Sequence, residues 1–244
     1  MKQRIVLLVL FSLIGVSCDP SNPVASVGKA NFLPLAAGNT WVYASRVIAE
    51  GMDTTVPVTV TLGSPFTYDG ITWYGANDFC RERGSASPLP LYCAAWGEKD
   101  DKVFSFQQGP GPIRSEYEVL LDFPLWFGKS WVIKSFDTTY ATVGGDTVHI
   151  LQMSRRTARG LSTVIVPADS FAACIEVFDA TSDLYEYRRG NGTRERYFWA
   201  TLSTEWFAEN VGMVKQIVES YEGDGSAPWR TETRALSTFD LKNR

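Results

Sequence analysis

One histidine stands in the whole chain of 244 residues, and only four cysteines. These shortages remove whole classes of chemistry. With His149 alone, multi-histidine zinc and copper sites are excluded. A Ser-His-Asp triad would have to use that histidine, and no G-x-S-x-G elbow occurs. The absence of C-x-x-C removes support for a zinc ribbon or a thioredoxin-like redox motif. No glycine-rich phosphate loop leads into a helical pattern. Glu98-Lys99-Asp100-Asp101 lacks the D-x-[DN]-x-[DN]-G spacing of a calcium loop and reads as a solvated turn. Clustered basic faces are missing as well. Arg188, Arg189, Arg194 and Arg196 alternate with glutamate around Gly190-Asn191-Gly192, the pattern of solvated hairpin arms. With a formal net charge of −4, nucleic acid is a poor partner. No cofactor, no metal and no catalytic residue is expected.

What the chain does have is apolar and aromatic bulk. Apolar residues make up 45% and aromatics 13%, enough for a core and too much for disorder. Threonine and valine are frequent, and glycine and proline interrupt them at short intervals, as in many short strands joined by turns.

Location is read from the first residues. Lys2 and Arg4 form a positive region ahead of Ile5–Val16, an apolar run of 12. That run is short for a bilayer span and fits the hydrophobic stretch of a signal peptide. It ends at Gly15-Val16-Ser17-Cys18, which resembles a bacterial lipobox although Gly15 stands where leucine is usual. Residues 1–17 are therefore expected to be a signal peptide, Cys18 the lipidated residue, and 18–30 a tether. Two or three acyl chains would hold the protein stably on a membrane. Losing Lys2 and Arg4 with the leader takes the net charge to −6.

With Cys18 assigned to lipid, Cys80 and Cys93 bracket a proline-containing loop and form the natural disulfide in an oxidising compartment. Closing that loop would contribute roughly 3 kcal/mol. Cys174, in Phe-Ala-Ala-Cys-Ile-Glu-Val, reads as a buried small hydrophobe.

Period-two alternation and turn dipeptides recur from residue 31 onward. They predict about fourteen short strands, including Thr147–Ser154, Leu161–Val166, Cys174–Thr181 and Leu184–Arg189, with a helical turn near Pro167–Ala173. The expected fold is all-β, a single domain over 31–244. Its form is a large curved antiparallel sheet, a half-barrel or an open barrel, with halves at 31–122 and 123–244.

The halves rest on a stretch written twice. Leu33-Pro-Leu-Ala-Ala-Gly-Asn-Thr-Trp-Val42 and Phe123-Pro-Leu-Trp-Phe-Gly-Lys-Ser-Trp-Val132 share Pro-Leu-x-x-Gly-x-(Ser/Thr)-Trp-Val. Proline stops the preceding element, glycine turns the chain, and tryptophan opens a strand. The second copy carries Trp126-Phe127 where the first has Ala36-Ala37. A position that takes either methyls or rings is partly exposed, which marks Trp126 and Phe127 as a candidate binding surface.

Asn31–Tyr43, Val164-Ile-Val-Pro-Ala-Asp-Ser-Phe and Glu205-Trp-Phe-Ala-Glu-Asn-Val-Gly-Met-Val-Lys215 resemble three segments of a group of uncharacterised secreted bacterial lipoproteins. That group's segments read Phe-Pro-Leu-x-x-Gly-x-x-Trp-x-Tyr, Val-Pro-Ala-Gly-Thr-Phe and Trp-Tyr-Ala-x-x-Val-Gly-x-Val-Lys. Asp169 here replaces a glycine. The resemblance implies an exported β-sheet domain of the cell envelope, on the outer or cytoplasmic membrane, and brings no catalytic residues.

Three functions stay open at this stage. One is a binding or scaffolding role, with an envelope protein, a glycan or an apolar ligand as partner beside the anchoring membrane. A second is a glycoside or other hydrolase using paired carboxylates, for which Tyr185-Glu186-Tyr187 and Glu205-Trp206 place acids among aromatics. The third is a carrier of lipid or lipoprotein acyl chains. The first is the leading expectation, and a non-enzymatic role with it.

Overall fold

The computed structural model describes residues 27–28, 31–76, 94–107, 117–142, 144–223, 225 and 227–242. Cys18, Cys80, Cys93 and the leader lie outside these residues.

Paired positive-φ residues set the first hairpins. Glu50-Gly51 (φ 43° and 83°) joins β1 (Thr40–Ala49) to β2 (Met52–Tyr68), and Asp69-Gly70 (φ 52° and 69°) joins β2 to β3 (Ile71–Ala76). Two successive positive φ values twist the turn in the sense the flanking strands require. The remaining strands are β4 (Ala94–Lys99), β5 (Lys102–Gln107), β6 (Tyr117–Asp122), β7 (Ser130–Ala141), β8 (Thr147–Val166), β9 (Asp169–Arg188), β10 (Arg194–Ala208), β11 (Gly212–Glu222) and β12 (Arg230–Asp240). No helix occurs among the described residues. All twelve strands form one antiparallel sheet in the order β6-β5-β4-β3-β2-β1-β12-β11-β10-β9-β8-β7. The chain meanders outward from β1 to β6, crosses to β7 and returns to β12, which pairs with β1. The sheet curls into a nearly closed barrel whose edges, β6 and β7, meet at a seam.

The strands are fewer and longer than the sequence predicts. Thr147–Ser154 and Leu161–Val166 belong to one 20-residue β8. Register shifts at Ala158/Gly160 and Ser162/Val164 absorb the irregularity, with Gly160 at φ 130°. β9 likewise runs unbroken for 20 residues, because β8 and β10 pair with it on both sides. The helical turn expected near Pro167–Ala173 is a tight hairpin at Pro167-Ala168, with the Ala168 N–H bonded to the Leu236 carbonyl (3.0 Å).

The two copies of the repeated stretch form the same turn in the same surroundings. Asn39 N–H donates to Ala36 O (3.1 Å) and Lys129 N–H to Trp126 O (3.0 Å), with Gly38 and Gly128 at φ 84° and 85°. Each turn then docks on the next strand. Gly38 N–H bonds Leu62 O on β2 and Leu62 N–H bonds Asn39 O; Gly128 N–H bonds Ala158 O on β8 and Ala158 N–H bonds Lys129 O. Even the side chain after the glycine reaches the same carbonyl. Asn39 Nδ2 donates to Pro34 O (2.8 Å) and Lys129 Nζ to Pro124 O (3.0 Å). Trp41 and Trp131 are both buried, and their indole N–H groups donate to Val211 O (2.5 Å) and Val119 O (3.0 Å).

These turns lie at one end of the barrel, hereafter the entry end, where the apolar core is thickest. One cluster packs Trp41, Val60, Leu62, Val214 and Leu236; another packs Phe32, Leu121, Phe123, Trp131, Val177 and Phe207. Cys174 is buried and free, as expected. Gly97 is fixed by packing, since a Cβ there would lie 2.6 Å from Ile71 and 2.9 Å from the Trp73 ring.

At the seam no backbone ladder joins β6 to β7, and side chains span it instead. Trp131 bonds Val119 O, and Lys129 Nζ bonds Asp122 O and faces Asp122 Oδ2 at 3.4 Å. Deeper in, Arg156 on β8 donates Nε to Asp179 Oδ2 on β9 (3.1 Å) and Nη1 to Glu205 Oε2 on β10 (2.8 Å). The same Nη1 reaches past β7 to Leu120 O on β6 (3.3 Å). Gln216 Nε2 on β11 also bonds Glu205 Oε1 (2.9 Å), and Ser154 Oγ bonds Asp179 Oδ1 (3.2 Å). The Arg156 and Glu205 side chains are 10% and 7% exposed, so this pair is nearly desolvated. Burial pushes the Asp179 carboxyl up, with Arg156 opposing. Removing the guanidinium would strand two carboxylates, at a cost of about 3–5 kcal/mol. Arg156→Met should therefore lose that much unfolding free energy in urea titrations, and Arg156→Lys should not restore it, because a point ammonium cannot serve three acceptors in a fork. A loss below about 1 kcal/mol, the level of a surface pair, would contradict this role.

Candidate ligand-binding face

Long strands place aromatic residues on one face by alternation alone. In Tyr185-Glu186-Tyr187 of β9 the tyrosines fall on the inner face, which also carries Arg156 and Val177, and Glu186 falls outside. The Gly190–Thr193 hairpin sets the register to β10, closing through Arg189 N–H to Thr193 O (2.9 Å). Three inner rows cross β7–β10 as a result. They are Phe136, Gln152, Asp183 and Trp199; Thr138, Ile150, Tyr185 and Tyr197; and Tyr140, Val148, Tyr187 and Glu195. β11 ends opposite Trp199 at Glu222, so the outer two rows run beyond it.

The rings contact one another as a shelf. Tyr185 meets Trp199 edge-on with centroids 5.4 Å apart, Tyr187 meets Tyr197 edge-on at 5.6 Å, and Tyr197 stacks on Trp199 at 5.9 Å. Such contacts hold rings in fixed orientations. The shelf is not sealed. Tyr197 is 42% exposed, Phe136 and Tyr140 are also exposed, and Tyr185, Tyr187 and Trp199 are half-buried. In its first row Asp183 keeps a buried Oδ1 with no hydrogen-bond partner. Burial raises the Asp183 carboxyl, and a hydrogen bond to Gln152 and the Lys134 ammonium oppose that. Unpaired buried acceptors are rare in folded proteins, and this one adjoins open aromatic surface.

The outer face over the same strands is a charged row. His149 Nε2 lies 2.8 Å from Asp137 Oδ1, His149 Nδ1 lies 3.6 Å from Glu186 Oε2, and Arg196 Nε lies 2.5 Å from Glu186 Oε1. A shallow depression of about 330 Å³ opens here, lined by His149, Glu186, Arg188 and Arg194. Each carboxylate of the row already faces a cation, as in a solvated ion-pair ladder. Arg189 clamps the neighbouring tips, bonding Asp146 (2.9 Å) and Glu195 (2.9 Å). Among the described residues no group of three His, Cys, Asp or Glu side chains is placed to hold a metal ion.

Glu186 and Glu205, the acids marked in the sequence, point to opposite faces of the sheet, one toward His149 and Arg196 and the other toward Arg156. They cannot act together on one bond. Trp126 and Phe127 lie far from the shelf, at the entry end, 41% and 49% exposed. Lys129 Nζ sits 4.8 Å from the Trp126 ring centroid. The sequence reading missed Arg156, Asp179, Asp183, Tyr197 and Trp199. A signal for the aromatics was present, since a hairpin centred on Gly190-Asn191-Gly192 pairs Tyr185 with Tyr197.

No family model matches the chain. No curated protein matches it. Among solved structures it is similar to a protein of Parabacteroides distasonis ATCC 8503 described as a lipoprotein, with 11% identity over 86% of this chain and 98% of the other, at a TM-score of 0.45. It is also similar to a protein of Bacteroides fragilis NCTC 9343 described as exported with a YmcC-like fold, with 16% identity over 87% and 100%, at a TM-score of 0.36. Both are low-identity likenesses of chain path and carry nothing about ligand or role.

Asp137 raises His149 above its ordinary 6.5, burial opposes it, and Glu186 adds to the rise. Folding thus favours the protonated imidazole. Its contribution to stability is complete below pH 6.5 and disappears as the pH rises through the folded-state value. The lone imidazole should titrate above 6.5 by NMR, and His149→Gln should flatten the fall in stability across that interval. A titration at or below 6.5 would contradict the ion-pair row.

Proposed function

We propose that the chain is an exported protein held to a bacterial envelope membrane by acylation at Cys18, and that its inner aromatic shelf binds a glycan. Support for the anchor is the basic start, the 12-residue apolar run and the small residues before Cys18. In the same oxidising compartment this reading pairs Cys80 with Cys93.

One observation carries the binding role. Tyr185, Tyr197 and Trp199 present open ring surface beside a carboxylate oxygen of Asp183 that has no partner. A pyranose offers matching chemistry: its C–H face packs on rings, and its hydroxyls donate to carboxylate and amide oxygens. Sites of this kind combine apolar walls with a few fixed polar groups. An acyl chain fits less well, because it would cover Asp183, Gln152 and Lys134 without satisfying them. The glycan reading is therefore preferred to the carrier reading, and the opposed faces of Glu186 and Glu205 weigh against the hydrolase built on them.

Calorimetric titration with chito-oligosaccharides and gluco-oligosaccharides tests the shelf. Saturable binding is expected for at least one class, and Trp199→Ala should weaken it by about tenfold, equivalent to about 1.4 kcal/mol. No saturable binding to either, or binding unchanged in Trp199→Ala, would sink the reading. Metabolic labelling with a fatty-acid probe tests the anchor: label is expected on the wild type and not on Cys18→Ala, and the absence of label on the wild type rejects it.

A further inference from the structure

The turn bearing Trp126 and Phe127 is built over the point where the chain enters the fold. Val27 N–H donates to Leu125 O (2.7 Å) and Leu125 N–H to Val27 O (3.0 Å), an isolated bridge immediately before Trp126. Phe32 then stacks on Phe123 with centroids 5.9 Å apart. The N-terminal segment is thus seated on this turn twice. Nine positions separate Val27 from Cys18, and nine extended residues span at most about 30 Å. From Ala158, where the turn docks, β8 runs back to Thr147 and carries the far hairpins away by about 35 Å. A chain held at Cys18 has its entry end within tether reach of the membrane and its β9–β10 tip that much farther along the barrel.

The composition of the turn fits that position. Trp126 and Phe127 are 41% and 49% exposed. The equivalent turn in the first half keeps the same hydrogen bonds and the same glycine φ with Ala36-Ala37, so backbone geometry does not require the rings. Among the described residues Trp126 makes no hydrogen bond through its indole N–H, while Lys129 holds the ring from one side. Phe127 lies over Gly160 of β8, and Leu161 and Ile165 on the same stretch of strand are exposed as well. An indole with an apolar body and a free polar edge, beside a second exposed ring, is of the kind that settles at the headgroup level of a bilayer.

We infer that the Trp126-Phe127 turn is a membrane-contact surface, seated in the headgroup layer of the lipid leaflet that holds the chain's own acyl anchor. The inference rests on acylation at Cys18. It orients the barrel with its entry end on the membrane and its aromatic shelf toward the aqueous compartment.

Hydroxyl-radical footprinting reads this residue by residue. The acylated full-length chain is compared in phosphatidylethanolamine–phosphatidylglycerol vesicles with Cys18→Ala in solution. Trp229, 44% exposed beside the start of β12 at the opposite end, is the internal reference. Oxidation of Trp126 should fall by about threefold or more on vesicles, as expected for a ring moved from water into the interface, while Trp229 is unchanged. An acylated, vesicle-bound chain in which Trp126 is oxidised as fast as in solution overturns the contact and leaves the anchor standing. A wild-type chain whose intact mass shows no acyl group overturns both.

Discussion

Side chains hold the barrel together where its backbone ladder stops, and one buried guanidinium stands at their centre. Eleven of the twelve neighbouring strand positions around the barrel are closed by paired N–H and C=O groups. The twelfth, between β6 and β7, is closed by side chains. Arg156 is central because it touches β6, β9 and β10 together. Two buried carboxylates need it, and it needs them, since none of the three charges would be tolerated alone in the interior. The polar belt around it, with Ser154, Gln216 and Ser203, separates the apolar core at the entry end from the open aromatic shelf at the other.

That division of the inner face gives the two ends different work. At the entry end large apolar side chains fill the barrel, and the chain's own N-terminal segment docks over them at Val27 and Phe32. Beyond the belt, β8, β9 and β10 outrun β11, so the same face meets solvent. The rings there have edges packed against one another and surfaces free. A glycan-binding shelf facing the aqueous compartment and a lipid-contacting turn at the opposite end would suit one anchored molecule, because the tether is short and the strands are long.

Much of the fold is written locally. Asp69-Gly70 and the Gly-Gly-Asp stretch at 144–146 each mark a hairpin, and period-two alternation names the strands. The repeated Pro-Leu-x-x-Gly stretch is legible as a strand-entry turn, and both copies adopt it on equivalent neighbours. Strand length is not legible in this way. The gap between Thr147–Ser154 and Leu161–Val166 reads as a break in sequence, yet pairing with β9 continues across it and converts the break into bulges. The candidate shelf is half legible: alternation places Tyr185 with Tyr187 and Tyr197 with Trp199, but only the hairpin register lays one pair against the other.

By itself the sequence determined the class of the molecule, its export signature, the turns, and which residues of each strand share a face, because these depend on neighbours a few positions away. Tertiary structure decided which faces turn inward, that Glu205 is bound to Arg156 while Glu186 points outside, and that the barrel meets itself at a seam without a ladder. Those outcomes join residues far apart in the chain, such as Arg156 with Asp179, 23 positions on, and with Glu205, 49 positions on. They follow from the curvature and closure of the whole sheet, which no local stretch of the chain encodes.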